Sequence, residues 1–449
     1  MHFICQNYKL RLIAVILFSM TAHVCYSQSD YINFRHLTTN GGLSDGSVRC
    51  IAQDKYGFIW FGTYNGLNRY NSYSVQVFQH SSSNPKSIPE NNITELLSDS
   101  KGRLWVCLSQ GVYQYDFATS NFILLPGTEK LNAIKMVSSS NGDTYIRFKT
   151  CIGKIDGTNG KFSVSLNIIA NDLCIASPGL IYYTTDNGLF LFDFFSNTGQ
   201  KIEIKGIDNT RFNKISLDQS QNLWIGCAFP LLKLHKINLN NLSFVTYSDF
   251  NISSQYLTDN TFNCIFSDRN NKTWIGLTRA GMSCYDSATG TFINYHNDPL
   301  QRMSMGPGVL NTIFQDKNDM MWIGSEGYGV SYFNSKKNLF RAILPAYNQK
   351  PTLPDLWTRA ASQDAAKNIW IATINGVAKW DPKNNQYTIL KNDEAHPNVL
   401  YANSVRSILC DKNFVWIGTN AGLNRYNQVT GKMDFFTEKR VFPRAFFGI

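Results

Sequence analysis

The feature that most constrains this chain is a short unit that recurs along it. An Asp stands six residues before a Trp in an apolar run, a glycine turn follows, and a Tyr-Asp or Tyr-Asn pair closes the unit. The clearest copy is SVRCIAQDKYGFIWFGTYNGLNRYN, from Ser47 to Asn71, and a second is TELLSDSKGRLWVCLSQGVYQYD, from Thr94 to Asp116. Further copies centre on Trp224, Trp274, Trp322, Trp370 and Trp416, and two weaker ones put Tyr145 and Tyr182 in the Trp place. With Trp60 and Trp105 these anchors lie 37 to 50 residues apart. Nine units of that length are nine blades of a β-propeller, each of four strands.

Each unit makes physical sense as a blade. Val48, Cys50 and Ala52 alternate ahead of Asp54, the pattern of a half-buried strand. An Asp-x-x-Gly turn is expected next in the unit, and Asp54, Asp99, Asp218, Asp268, Asp316 and Asp364 each lie six residues before their Trp. There the Asp carboxylate accepts backbone N–H groups and the Gly supplies a positive φ. The Ile-Trp-Ile run is a strand packed on both faces, so Trp60, Trp105, Trp224, Trp274, Trp322, Trp370 and Trp416 are expected in the blade core. No segment of the mature chain carries a convincing helical period, which excludes an α-solenoid.

The expected fold is all-β: a seven-bladed β-propeller of four-stranded antiparallel blades, plus the first two blades of an incomplete second propeller. Closure needs a terminal strand to complete the last blade, so that no long edge is left bare. Tyr31–Leu37 (YINFRHL) reads as a fourth strand with no first three before it, and is expected to complete the blade around Trp322. The expected domains are a signal peptide over 1–27, the seven-bladed ring over 28–341, and two blades with a non-repeat tail (FPRAFFGI) over 342–449. Two blades cannot close a ring, which suggests a truncated or split reading frame.

Lys9 and Arg11 precede an apolar stretch from Leu12 to Ala22, and Cys25 and Ser27 are small residues ahead of a cleavage point at Gln28. This is the layout of an export signal, too short to span a bilayer. No later apolar run is long enough to do so. Ten cysteines in an exported chain raise the question of disulfides. Cys5 and Cys25 leave with the leader, no CxxC pair occurs, and Cys50 and Cys264 share one repeat position, so buried strand thiols are expected. The net charge is +10, with charged residues at only 16%, below the ~25% usual for soluble proteins. Much of the basic charge falls in short turns, such as Lys55, Lys101, Lys317 and Lys367. It is read chiefly as solvated turn charge, with attraction of an anionic ligand as the sharper reading.

The stretch GLSDGSVRCIAQDKYGFIWFGTYNGLNRYN closely resembles the regulator-propeller repeat of the periplasmic half of hybrid two-component sensors from Bacteroidetes-type bacteria. The resemblance runs from Tyr31 to about Phe436. It implies two seven-bladed rings, a β-sandwich, a transmembrane helix, a histidine kinase, a receiver and a DNA-binding helix-turn-helix, of which this sequence holds the first ring and part of the second. It also implies a periplasmic module that senses oligosaccharides from polysaccharide breakdown, and possible pairing of two copies through the sensor region.

The residues themselves call for no cofactor, no metal and no nucleic-acid partner. The seven His show no short ligand spacing. A glycosidase would need two facing carboxylates, and only Glu326 and Asp186 lie near a ligand-facing turn, so no catalytic residue is assigned. The alternative function is a propeller enzyme of the sialidase or lyase kind, or a scaffold for protein partners. Sugars bind aromatic platforms flanked by hydrogen-bonding groups. On the face made by the turns between second and third strands, that points to Tyr64, Asn65, Arg279, Glu326, Tyr328 and Asn420.

Overall fold

The computed structural model describes residues 32–436 apart from 208–210, 229–232, 248–261, 279–280, 288–289, 300, 302, 337–342, 344–352, 385 and 393–398. The stretch 1–27, expected to be an export signal, and the FPRAFFGI tail lie outside the described residues. Among the described residues there are nine four-stranded antiparallel sheets, and the only helix is a single 3-10 turn at Thr39–Gly41. Two compact units divide the chain, Met1–Asn297 with Met305–Leu339 and Asp298–Ser304 with Phe340–Ile449. The division thus falls just before the expected boundary at 341, and a short piece around 298–304 groups with the second unit.

The first unit holds seven sheets, numbered here in chain order: 48–78, 95–124, 133–166, 172–202, 212–247, 262–295 and 310–334. Their innermost strands touch in turn, and the last, Leu310–Gln315, returns to the first, Val48–Gln53. The ring is closed. The seventh sheet takes its fourth strand from the other end of the chain: Arg35–Leu37 pairs antiparallel with Gly329–Asn334, Arg35 opposite Tyr332 and Leu37 opposite Val330. Phe34 anchors this strand, buried edge-on to Phe333 at 5.2 Å and to Tyr295 at 5.9 Å. The second unit holds two sheets, 358–390 and 405–436, whose inner strands Thr358–Gln363 and Val405–Asp411 touch.

The repeated Asp and Trp belong to one hydrogen-bonded device. In six sheets the Trp Nε1–H donates to the Asp carboxylate six residues earlier: Trp60 to Asp54 (2.7 Å), Trp105 to Asp99 (2.8 Å), Trp224 to Asp218 (3.0 Å), Trp274 to Asp268 (2.8 Å), Trp322 to Asp316 (3.0 Å) and Trp370 to Asp364 (2.9 Å). In the first sheet the other carboxylate oxygen accepts the N–H of Tyr56 and of Phe58, closing the turn. A buried indole N–H needs an acceptor, and a buried carboxylate needs several donors. The pair satisfies both. In the ninth sheet Cys410 stands at that place, and Trp416 is only half-buried.

The turn departs from the expected Asp-x-x-Gly. Among the six Asp turns only Gly57 and Gly102 occupy the left-handed position as glycines. Gln221, Asn271, Asp319 and Lys367 hold it with φ of 61°, 59°, 64° and 71°. The Asp side chain and the two flanking strands fix the backbone there whatever the residue, at a strain of roughly 1 kcal/mol for a side chain with a Cβ. Lys367→Gly is therefore expected to leave the fold intact and raise stability slightly. Thermal unfolding of the variant checks this, and a loss of stability would contradict it.

In five units the aromatic residue that closes the unit packs across to the preceding blade. Trp60 meets Tyr115 at 5.0 Å, Trp224 meets Tyr285 at 4.9 Å, Trp274 meets Phe333 at 5.4 Å and Trp370 meets Tyr426 at 5.5 Å. Trp322 of the seventh sheet meets Tyr70 of the first at 6.0 Å, so the same contact closes the ring. The Gly of Trp-Ile-Gly also serves the neighbour. A Cβ on Gly324 would lie 2.9 Å from the Val48 side chain, and one on Gly226 would lie 2.8 Å from Phe262. The motif recurs because adjacent blades must approach this closely.

Candidate functional site

The inner strands of the first unit enclose a cavity of about 1180 Å³. Its lining spans both ends of those strands. At one end lie Arg49, Tyr64, Thr94 and Glu326, beside the turns between second and third strands. At the other lie Lys55, Lys101, Arg269 and Lys317, in the Asp turns.

The first end is shaped by a bulge. In five of the seven sheets the pairing of first and second strands slips after the first inner-strand residue, as between Val48 and Cys50 and between Leu310 and Thr312. A bulge re-aims side chains, and Arg49, Asn263 and Asn311 at these positions line the cavity. Asn213 and Asn311 each donate across to the next blade, to the carbonyl of Phe262 (3.2 Å) and of Val48 (3.2 Å). Asn171, at the same place in the fourth sheet, donates to the carbonyl of Phe212 at 2.9 Å. Arg49 donates to Asn92 at 2.9 Å and lies 4.9 Å over the Tyr64 ring. This contact holds an aromatic face at the mouth while 48% of Tyr64 stays exposed.

One residue further along, a belt crosses the cavity. Four consecutive sheets place Glu95, Lys135, Asp172 and Lys214 at equivalent positions, opposite Cys107, Arg147, Thr184 and Gly226 of their second strands. The charges alternate around this arc, and Cys50, Cys264 and Thr312 complete the belt without charge. Lys135 and Asp172 form an ion pair at 2.6 Å. Asp172 is buried and also accepts the N–H groups of Leu173 and Ile215. Burial alone would raise its pKa, but Lys135, Lys214 and the Ile215 N–H hold the carboxyl below the usual range. Glu95 is pushed up to about 7, chiefly by burial and further by Asp172, against the Leu96 N–H and the charges of Lys135 and Lys214.

A raised carboxyl pKa makes stability fall with pH. Between the unfolded value near 4.3 and the folded value near 7, the folded state keeps a proton that the unfolded state has released, so stability declines over that window and stays lower above it. Glu95→Gln removes this dependence. The variant is expected to match the parent at pH 4 to 5 and exceed it by roughly 1–3 kcal/mol at pH 8. Denaturant unfolding at the two pH values checks this, and an equal effect at both would contradict it.

The structure brings together some of the residues expected from sequence and not others. Tyr64 and Glu326 both line the cavity at one mouth. Asn65 braces the adjoining loops, accepting from Asn91 at 3.2 Å on its side chain and from Gln79 at 2.8 Å on its carbonyl. Tyr328 lies against Gly306 and edge-on to His36 at 5.3 Å, and does not line the cavity. Asn420 belongs to the second unit, its N–H bonded to the Ser404 carbonyl at 3.0 Å. Arg279 lies outside the described residues. Local sequence does not reveal the belt, although Glu95, Lys135 and Lys214 stand at the repeat position that Cys50 and Cys264 share.

Eight cysteines among the described residues are free thiols, six of them buried. Burial raises the thiols of Cys174 and Cys264 to about 12, so they behave as apolar side chains. Among the described residues no group of His, Cys, Asp or Glu could hold a metal ion, and no helix is long and apolar enough to cross a membrane.

With this geometry in hand, residues 42–65 match the profile of the family described as "Two component regulator propeller". That segment carries the two component regulator propeller repeat. Histidine kinase P4 of Formosa agariphila is 36% identical over 75 residues, which is 17% of this chain and 6% of that protein. The match therefore spans a small part of its relative. Among solved structures, the chain is similar to the extracellular domain of BT3049 from B. thetaiotaomicron, described as a hybrid two component system. Identity is 17%, the TM-score is 0.57, and 92% of this chain and 74% of that one are covered. The extracellular domain of BT4673 from the same organism is 20% identical with a TM-score of 0.57, over 90% of this chain and 54% of that one. A streptogramin B lyase is 14% identical with a TM-score of 0.53, over 67% of this chain and 98% of its own. At these identities the structural likeness is one of fold.

Proposed function

We propose that this regulator propeller is the exported ligand-sensing module of a two-component signalling system, and that it binds an oligosaccharide at the mouth formed by Arg49, Tyr64 and Glu326. One observation carries the reading: the closed ring opens onto a cavity with an exposed aromatic face held by a cation and flanked by a carboxylate. That is the chemistry of a saccharide site. The extracellular regulatory domains cover 90–92% of this chain, against 67% for the lyase, which favours sensing over propeller enzymology. Pairing of two copies through the sensor region belongs to the same proposal.

Thermal-shift screening of the full mature chain against an oligosaccharide array tests it. A ligand at one hundred times its Kd stabilises by about 2.7 kcal/mol, a rise of roughly 5 °C for a unit of this size. At least one saturable rise is expected. Breakdown of an array member without any stabilising ligand would overturn the sensing reading in favour of an enzyme.

A further inference from the structure

The cavity beneath the Tyr64 mouth is electrically lopsided. Eight basic and four acidic side chains line it. Two of the acids are already engaged. Asp99 accepts from Trp105 and from Arg103 at 2.6 Å, and Asp172 is held by Lys135 and two backbone N–H groups. Two of the bases have capacity to spare. Lys214 acts on Asp172 and Glu95 through space, but among the described residues it makes no direct ion pair with a carboxylate. Arg147 reaches the cavity from the second strand of its sheet and donates one Nη1 bond to the Ala170 carbonyl at 2.9 Å, while its Nε is buried without a partner. An unsatisfied buried guanidinium N–H is costly, and a low-dielectric wall strengthens its pull on an anion. Arg147 and Lys214 come from the third and fifth sheets and flank Asp172 of the fourth. An oxyanion that accepts from a guanidinium and an ammonium is the missing complement.

We propose that the cavity holds the carboxylate or sulfate of an acidic saccharide against Arg147 and Lys214, with the rest of the ligand leading toward Tyr64. This rests on the sensing reading above and narrows its ligand class. Glu95 tunes the site. It faces Lys135, Asp172, Lys214 and Arg147, with Cys50 and Cys107 beside it, and its own charge opposes an incoming anion. Protonation of Glu95 as pH falls through about 7 removes that opposition, so anion affinity rises from pH 8 to pH 6.

Calorimetric titration of the full chain with tetragalacturonate, with its sulfated counterpart and with neutral tetragalactose separates the cases. The expected result is binding of at least one acidic probe tenfold or more tighter than the neutral one. That affinity falls tenfold or more in Lys214→Met and in Arg147→Met, and the parent binds more tightly at pH 6 than at pH 8, a difference absent from Glu95→Gln. Circular dichroism verifies that each variant is folded. Should Arg147→Met fail to fold, Lys214→Met and the pH series still decide. Equal or tighter binding of the neutral probe, or acidic binding indifferent to Lys214 and to pH, overturns the inference and leaves the sensing reading standing. Failure of all three probes overturns the acidic-ligand inference, while the neutral members of the array still judge the sensing reading separately.

Discussion

Asp54→Ala is expected to lower the stability of the seven-sheet unit by about 3–5 kcal/mol. Asp54 is fully buried and accepts three hydrogen bonds, from the N–H groups of Tyr56 and Phe58 and from the Trp60 indole. Alanine strands the buried indole N–H and takes the acceptor from the part-buried N–H groups of Tyr56 and Phe58. Asp54→Asn is the more telling variant. It keeps the shape but has one accepting oxygen, so either the turn or the indole faces an NH2 group. A loss of about 2–3 kcal/mol is expected. Chemical denaturation measures both, and the tryptophan emission of Trp60 should change with them. An Asn variant as stable as the parent would show that the carboxylate is a turn former only, without a share in holding the Trp.

The closing strand has the second large effect. Phe34→Ala removes a buried ring that packs on Phe333 and Tyr295, at a cost of about 3–5 kcal/mol, or roughly 6–10 °C in Tm. Deleting 32–37 does more. It strips Phe34 and Leu37 from two core clusters and bares the hydrogen-bonding edge of Gly329–Asn334. An exposed edge invites pairing with other chains. The deleted chain is expected to lose cooperative unfolding and to aggregate, visible in light scattering and in a flattened melting curve. A deletion that melts cooperatively within a few degrees of the parent would mean that the ring closes without this strand.

Much of this architecture was legible because the repeat is a set of local necessities. Asp54, Trp60 and Tyr70 recur as residue types, and a strand at Tyr31–Leu37 without partners of its own pointed to the seventh blade. The reasons behind the recurrence were less legible. Tyr115 is spaced from Trp105 as if they shared one blade contact, yet its ring packs on Trp60 of the preceding blade. Linear spacing does not reveal which neighbour a side chain faces. The strained turn residues Gln221 and Lys367 were hidden for a related reason, since their positive φ is imposed by the strands around them.

The candidate site was legible in part. Tyr64 and Glu326 stood out because they follow strand ends, where ligand faces form, and both border the cavity. Tyr328 has the same local setting but rests on Gly306 and His36. Local sequence cannot separate those outcomes. The belt of Glu95, Lys135, Asp172 and Lys214 depends on the ring as a whole. Each residue looks like an ordinary strand charge until four sheets set them side by side around the axis.

The most direct test of the central claim, that the closed ring senses a ligand through its axial mouth, is a comparison of binding in three chains. The oligosaccharide giving the largest thermal shift is titrated by calorimetry into the parent, into Tyr64→Ala and into Asn420→Ala of the second unit. The expected result is one site per chain, an affinity at least tenfold weaker in Tyr64→Ala, and no change in Asn420→Ala. Undiminished binding in Tyr64→Ala, with loss in Asn420→Ala, would contradict the account and move the site to the second unit.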